Sequence, residues 1–143
     1  MRYAYPARLE ERDGTVLVFF PDFPEAVTEG SDRAAALLEA VDCLDAAILF
    51  RLKESAELPA PSPAVPRTGL VVVPASPAVA AKAAFVRAFV ASGLTRVALA
   101  AKLAVGESEV RRMLDPNHPT KVDRLGEAMV ALGRRLVLAD EAA

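Results

Sequence analysis

The residues able to do chemistry in this 143-residue chain fall into two groups. The first contains what an enzyme would use, and its members are scattered. His118 is the only histidine, set between Asn117 and Pro119, with no serine, cysteine or acid at triad spacing. Cys43 is the only cysteine, so it has no internal disulfide partner and no companion ligands for zinc. Asp22, Glu25, Asp42 and Asp45 are the one carboxylate grouping that suggests a metal site. No second cluster completes it, and a solvated face is the expectation. No glycine-rich phosphate loop is present. The sequence therefore predicts no catalytic residue, metal or cofactor, and a protein that is not an enzyme.

The second group is suited to recognition. The stretch Thr95–Leu114, TRVALAAKLAVGESEVRRML, reads as two short helices joined by a tight turn. This is the pattern of a helix-turn-helix, which places its second helix in the DNA major groove. Thr95 is expected to cap the first helix. Leu99, Leu103, Val105 and Val110 are expected inside, and small Ala100 where the helices cross. The outward positions of the second helix are Glu107, Ser108, Arg111 and Arg112. Arginine can pair with guanine through two hydrogen bonds. Thr95, Arg96 and Lys102 are placed to contact phosphates. Glu107 and Glu109 oppose this reading, because a carboxylate repels phosphate. Ala104 occupies the turn where positive φ favours glycine, and Gly106 is expected to take up part of the bend. The competing reading is a helical hairpin that packs on a protein partner.

These residues need elements to hold them. Period-two alternation over Arg2–Glu10 predicts a strand, with Tyr3, Tyr5, Ala7 and Leu9 on one face. Pro6 within it indicates an edge position or a bulge. Asp13-Gly14 signals a hairpin into Thr15–Phe20. Pro21–Pro24 is expected to be a loop, followed by a short strand over Ala26–Glu29. Ser31 is the expected cap of a helix over Asp32–Lys53, whose apolar stripe is Leu37, Val41, Leu44 and Ile48. Residues 54–68, with Pro59, Pro61, Pro63 and Pro66, read as a stiff surface connector. Leu70–Val73 then supplies a fourth strand. Ser76-Pro77 starts a helix that stops at Gly93. Val122–Leu132 reads as another helix with Leu125, Met129 and Leu132 inward, and Arg134–Leu138 as a last short strand.

The expected fold class is thus α+β. A small β-β-β-α-β domain over residues 1–75 precedes an all-α helix-turn-helix domain over 76–143. Net charge divides along the same line. Residues 1–75 carry 7 Lys+Arg against 12 Asp+Glu, a net −5; the remainder carry 10 against 7, a net +3. Opposite charges on the two parts suggest two partners, with chance scatter as the alternative. The N-terminus lacks an apolar signal segment, and no apolar run reaches the ~18 residues of a membrane span. A lone cysteine fits a reducing cytoplasm.

In order along the chain, these motifs resemble the HicB family of type II antitoxins. The N-terminal likeness lies in Tyr5-Pro6-Ala7 and in Pro21-Asp22-Phe23-Pro24-Glu25-Ala26-Val27-Thr28-Glu29-Gly30, followed by the long helix. The C-terminal likeness lies in Ser92–Thr95, Leu99-Ala100, Leu103-Ala104-Val105, Val110–Leu114 and Leu132–Leu136. It is similar to the HicB subset that carries a lambda-repressor-like helix-turn-helix. The resemblance implies a partial ribonuclease-H-like N-terminal fold without that enzyme's activity. That domain would neutralise a HicA-like mRNA-cleaving toxin. The C-terminal domain would repress its own operon by binding operator DNA as a homodimer or homotetramer. Phe20, Asp22, Phe23 and Glu25 become the toxin-facing candidates, Phe20 and Phe23 having a core role as their alternative. The family's turn glycine is Ala104 here, and the small polar residue that opens its recognition helix is Gly106. The other function open to the sequence is a free-standing regulator whose N-terminal domain oligomerises or senses a ligand.

Overall fold

The computed structural model describes residues 1–64 and 69–142. The chain is mixed α+β and forms two compact units, Met1–Ser76 and Pro77–Ala143.

The first unit is an antiparallel sheet with one long helix. Its elements are β1 (Ala4–Arg12), β2 (Thr15–Phe20), β3 (Phe23–Gly30), α1 (Arg33–Lys53) and β4 (Leu70–Pro74). The strand order is β3-β2-β1-β4. Asp13 and Gly14 both take positive φ, 51° and 77°, which matches the twist of the flanking strands and closes the hairpin at Arg12↔Thr15. Pro6 pairs with Val72 of β4, while the β1–β2 pairs begin only at Arg8. An interior strand tolerates this proline because it is paired on one side there.

The second hairpin differs from expectation. Only Pro21 and Asp22 form its turn; Phe23 and Pro24 already belong to β3, which pairs Phe20↔Phe23. Pro24 is accommodated because β3 is an edge strand and its register is irregular. The pairing steps from Phe19↔Val27 to Phe20↔Phe23. That step lets Phe23 and Ala26, three apart, both be buried, which a regular two-residue alternation forbids.

Helix α1 is capped by Asp32, not Ser31: Ala35 N donates to Asp32 Oδ1 at 2.8 Å. Its buried face is Ala36, Ala40, Leu44, Ala47 and Ile48. Leu37 and Val41, expected inward, are half-buried at the flank. Small alanines win the central line because the helix lies close on the sheet. Gly30 measures that closeness: a Cβ there would sit 2.6 Å from Ala36 Cα and 2.7 Å from Ala35 C. The Thr28-Glu29-Gly30 end of β3 therefore requires its glycine for space.

Residues after α1 are more than a surface connector. Leu58 is 4% exposed, the Tyr5 hydroxyl donates to Pro59 O at 3.0 Å, and Ser62 N donates to Asp22 Oδ2 at 2.9 Å. The chain is pinned to the sheet unit at three points. Pro66 and Arg67 of the expected connector lie outside the described residues.

The second unit is helical: α2 (Pro77–Ser92), α3 (Arg96–Leu103), α4 (Glu107–Leu114) and α5 (Val122–Ala131). Gly93 ends α2 with φ 67°. Phe85, Leu99, Val110, Met113, Leu125 and Met129 form the centre of one core; truncating a residue such as Phe85 to alanine costs about 3–5 kcal/mol. Gly133 (φ 71°) ends α5. Gly133 N donates to Val130 O and Arg134 N to Met129 O, both at 2.9 Å, a Schellman closure. Arg134–Leu138, expected as a strand, takes no strand form. Within the described residues the second unit has no other strand to pair it.

Candidate nucleic-acid interface

The helix-turn-helix is built from α3 and α4. Thr95 caps α3, its Oγ1 accepting from Ala98 N at 3.1 Å. Leu99 and Ala100 are buried beneath it. The chain then turns at Ala104, which takes φ 54° and ψ 44°. Val105 N donates to Ala100 O at 3.0 Å across the turn. A left-handed alanine carries roughly 1–2 kcal/mol of steric cost, which glycine would avoid. Gly106 takes up none of the bend: it caps α4 in ordinary extended geometry, φ −72° and ψ 152°.

Val110 and Met113 seat α4 on the core. Glu107, Ser108, Arg111 and Arg112 are exposed, as are Thr95, Arg96 and Lys102. Glu107, Ser108 and Arg111 lie three and four positions apart, so they share a surface. The two carboxylates are partly neutralised. Arg124 of α5 grips Glu109 Oε1 through Nη2 at 2.6 Å and Nε at 3.0 Å, and reaches Glu127 at 2.7 Å. These hydrogen bonds push the Arg124 guanidinium pKa up. Glu107 stands 3.8 Å from Arg96. A cleft of about 300 Å³ opens beside the end of α4, among Arg112, His118, Lys121 and Arg124.

One residue of this unit has no counterpart in the sequence reading. Lys82 of α2 is 4% exposed. Its Nζ donates to Met113 O at 2.7 Å and to Thr120 Oγ1 at 2.8 Å, which ties the last turn of α4 and the start of the approach to α5 to α2. Burial pushes the ammonium down to about 8, with Asp115 opposing the shift. The signal available was a single charge inside the run Ala80–Phe85.

In the sheet unit, Phe20 and Phe23 are 2% and 0% exposed and belong to the core. Asp22 is held by Ser62 through backbone N–H and hydroxyl. Glu25 is exposed and accepts from Arg51 Nε at 2.6 Å and Nη2 at 3.0 Å, which pulls its pKa down. Asp45 accepts from Ser76 N at 2.9 Å. The four carboxylates weighed as a metal set thus include three with separate structural partners. Cys43 is half-buried, and burial pushes its thiol pKa up. No single helix among the described residues is long and apolar enough to cross a membrane.

Comparison with known proteins covers both units. A family model described as "HicB_like antitoxin of bacterial toxin-antitoxin system" matches residues 3–84. Antitoxin HicB 1 of Photorhabdus laumondii is 39% identical over 138 residues, spanning 96% of this chain and 86% of that protein. Antitoxin HicB of Escherichia coli K12 is 35% identical over 135 residues, spanning 94% and 96%. Antitoxin HicB of Pseudomonas fluorescens is 28% identical over 142 residues, spanning 99% and 96%. The chain belongs to the HicB-like antitoxin family of bacterial toxin–antitoxin systems.

Proposed function

We propose that this chain neutralises a HicA-like mRNA-cleaving toxin through residues 1–75 and represses its own operon through residues 76–143. The observation that carries the reading is the near end-to-end likeness to antitoxins named HicB, 96% of the chain in one case. A likeness confined to the sheet unit would leave the helical unit unexplained. Charge supports the division of labour. A protein that cleaves RNA must approach a polyanion and is expected to be basic, and the sheet region carries a net −5. The helical region carries +3 and exposes Arg111 and Arg112 on α4.

Within this reading Asp22 and Glu25 are the toxin-facing candidates, and the buried Phe20 and Phe23 hold the turn between β2 and β3 in place under them. Arg111, Arg112 and Ser108 address base edges; Thr95, Arg96 and Lys102 address phosphates. The work would take place in the cytoplasm, where both messenger RNA and operator lie. It requires no catalysis by this chain.

The test is co-expression with the product of the neighbouring gene, which this reading expects to be a small basic protein. The expected result is a co-purifying complex and growth restored to cells that express the partner. Failure to bind the neighbour, with operator binding intact, would leave a free-standing regulator instead.

A further inference from the structure

The cleft of about 300 Å³ beside the end of α4 draws its apolar lining from Met113 and Pro119, and much of its polar lining from Arg112, His118 and Lys121. Those three polar side chains are exposed and make no hydrogen bond or ion pair among the described residues. The one carboxylate in the lining, Glu109, is already held by Arg124 at 2.6 Å. Asp115 stays out of the lining, and its Oδ1 accepts from Asn117 N at 2.9 Å. The positive charges of Arg112 and Lys121 are therefore uncompensated. The walls are fixed from behind by the buried Lys82. Its Nζ donates to Met113 O and to Thr120 Oγ1, which ties the α4 side of the cleft to the α5 side. Thr120 also lines the cleft. Its hydroxyl oxygen accepts from Lys82, so the hydroxyl proton is left to donate to another acceptor. His118 is held by its backbone, since His118 N donates to Asp115 O at 3.1 Å and Pro116 and Pro119 restrict the chain on either side.

We infer that this cleft binds a small phosphate monoester. Arg112 and Lys121 meet its charge, Thr120 and His118 its oxygens, and Met113 and Pro119 its organic part. Charge selects the class. A monoester carries about two negative charges at neutral pH, the number that Arg112 and Lys121 supply. Arginine adds a fork of two parallel donors suited to phosphate oxygens. Shape selects it too. The volume is that of the smallest small-molecule sites, roughly 300 Å³, and a terminal phosphate enters a recess end-on. A phosphate in duplex DNA carries one charge and is flanked by a sugar on each side. Occupancy has a consequence for recognition, because a ligand that holds Arg112 withdraws it from DNA. That consequence rests on the operator reading above; the binding itself does not.

Proton NMR of the full chain tests it, because His118 is the only histidine and its ring signals report on the cleft directly. The probes are phenyl phosphate, a monoester, and dimethyl phosphate, a diester, titrated at neutral pH and constant ionic strength. Phenyl phosphate is expected to shift the His118 signals saturably and to bind about tenfold more tightly than dimethyl phosphate. Arg112→Ala and Lys121→Ala are each expected to weaken phenyl phosphate about tenfold. Lys53→Ala, which removes the same charge from the sheet unit, is expected to change nothing. All three positions are exposed, and unchanged circular dichroism will show that the variants fold. No saturable shift with phenyl phosphate overturns the proposal. So does equal binding of the diester, or a loss on Lys53→Ala as large as on Lys121→Ala, which would mark diffuse attraction to net charge. A random DNA duplex that shifts His118 where phenyl phosphate does not would assign the cleft to the DNA backbone and overturn it as well. A chain that binds phenyl phosphate but no operator would defeat the operator reading and leave this one standing.

Discussion

Arg51 of α1 closes a two-bond ion pair on Glu25 of β3 and lays its guanidinium 4.5 Å above the ring of Phe23. The same ring meets Tyr5 edge-on, with centroids 4.8 Å apart. One arginine thus fastens the helix to the irregular part of the edge strand and covers the aromatic pair below. Lysine can supply the charge but neither the fork nor the flat stacking surface. Arg51→Lys is expected to destabilise the chain by about 1 kcal/mol, a figure already reduced because Glu25 is substantially exposed and screened. Chemical denaturation at neutral pH measures it. The pH dependence has a fixed sign. Glu25 has its pKa lowered from the ordinary 4.5, so its contribution is complete above that value and lost as pH falls through the lowered one. The stability gap between wild type and Glu25→Gln should therefore shrink in acid; a gap that widens would contradict the assignment.

The turn of the helix-turn-helix stores strain at one residue. Ala104 at φ 54° carries the left-handed cost, and the neighbouring Gly106 relieves none of it. Ala104→Gly removes the Cβ but adds freedom to the unfolded chain, worth about 0.4–1 kcal/mol in the opposite direction. The net expectation is a gain of roughly 0.5–1 kcal/mol. Thermal unfolding should show a higher midpoint, and a lower one would mean that Ala104 is not strained.

Lys82 makes a prediction of the opposite character. Its pKa falls from 10.5 to about 8, chiefly through burial, against the pull of Asp115. The folded state therefore binds fewer protons than the unfolded one between those values, and stability rises with pH across that window. Lys82→Met keeps the length of the side chain and has no proton to lose. It also strands Met113 O and Thr120 Oγ1, at a cost of about 1–3 kcal/mol for unsatisfied buried groups. Wild type should be the more stable at pH 7.5, and its lead should grow toward pH 10. A lead independent of pH would show that the lysine does not titrate there.

The readable parts of the fold were those whose cause is local. Asp13-Gly14 needs positive φ, Gly93 and Gly133 end helices, and Thr95 caps one; each signal acts within a few residues. The illegible parts depend on neighbours distant in sequence. Nothing near Pro24 announces that β3 is an edge strand with an irregular register, which is what lets the proline join it. The inward line of α1 shifts to Ala36, Ala40 and Ala47 because Gly30 brings the helix onto the sheet. Lys82 is tied to Met113, and Arg51 to Glu25, across more than twenty positions of sequence. In the candidate interface, the exposed side of α4 was legible from its spacing, whereas the sequestering of Glu109 by Arg124 was not.

That sequestering bears on DNA recognition. With Glu109 held by α5 and Glu107 near Arg96, the surface of α4 open to a groove is dominated by Ser108, Arg111 and Arg112. If Arg111 reads a guanine through two hydrogen bonds, Arg111→Ala should weaken operator binding by about 1–3 kcal/mol while leaving random DNA nearly unaffected. Lys102, on the last turn of α3, is placed for phosphate. Lys102→Ala should weaken all sequences alike and lower the salt slope by roughly one counterion per half-site. Titrations of operator and random duplexes at several salt concentrations separate the two. An Arg111 variant that loses both targets equally is a phosphate contact, and one that loses neither lies outside the interface.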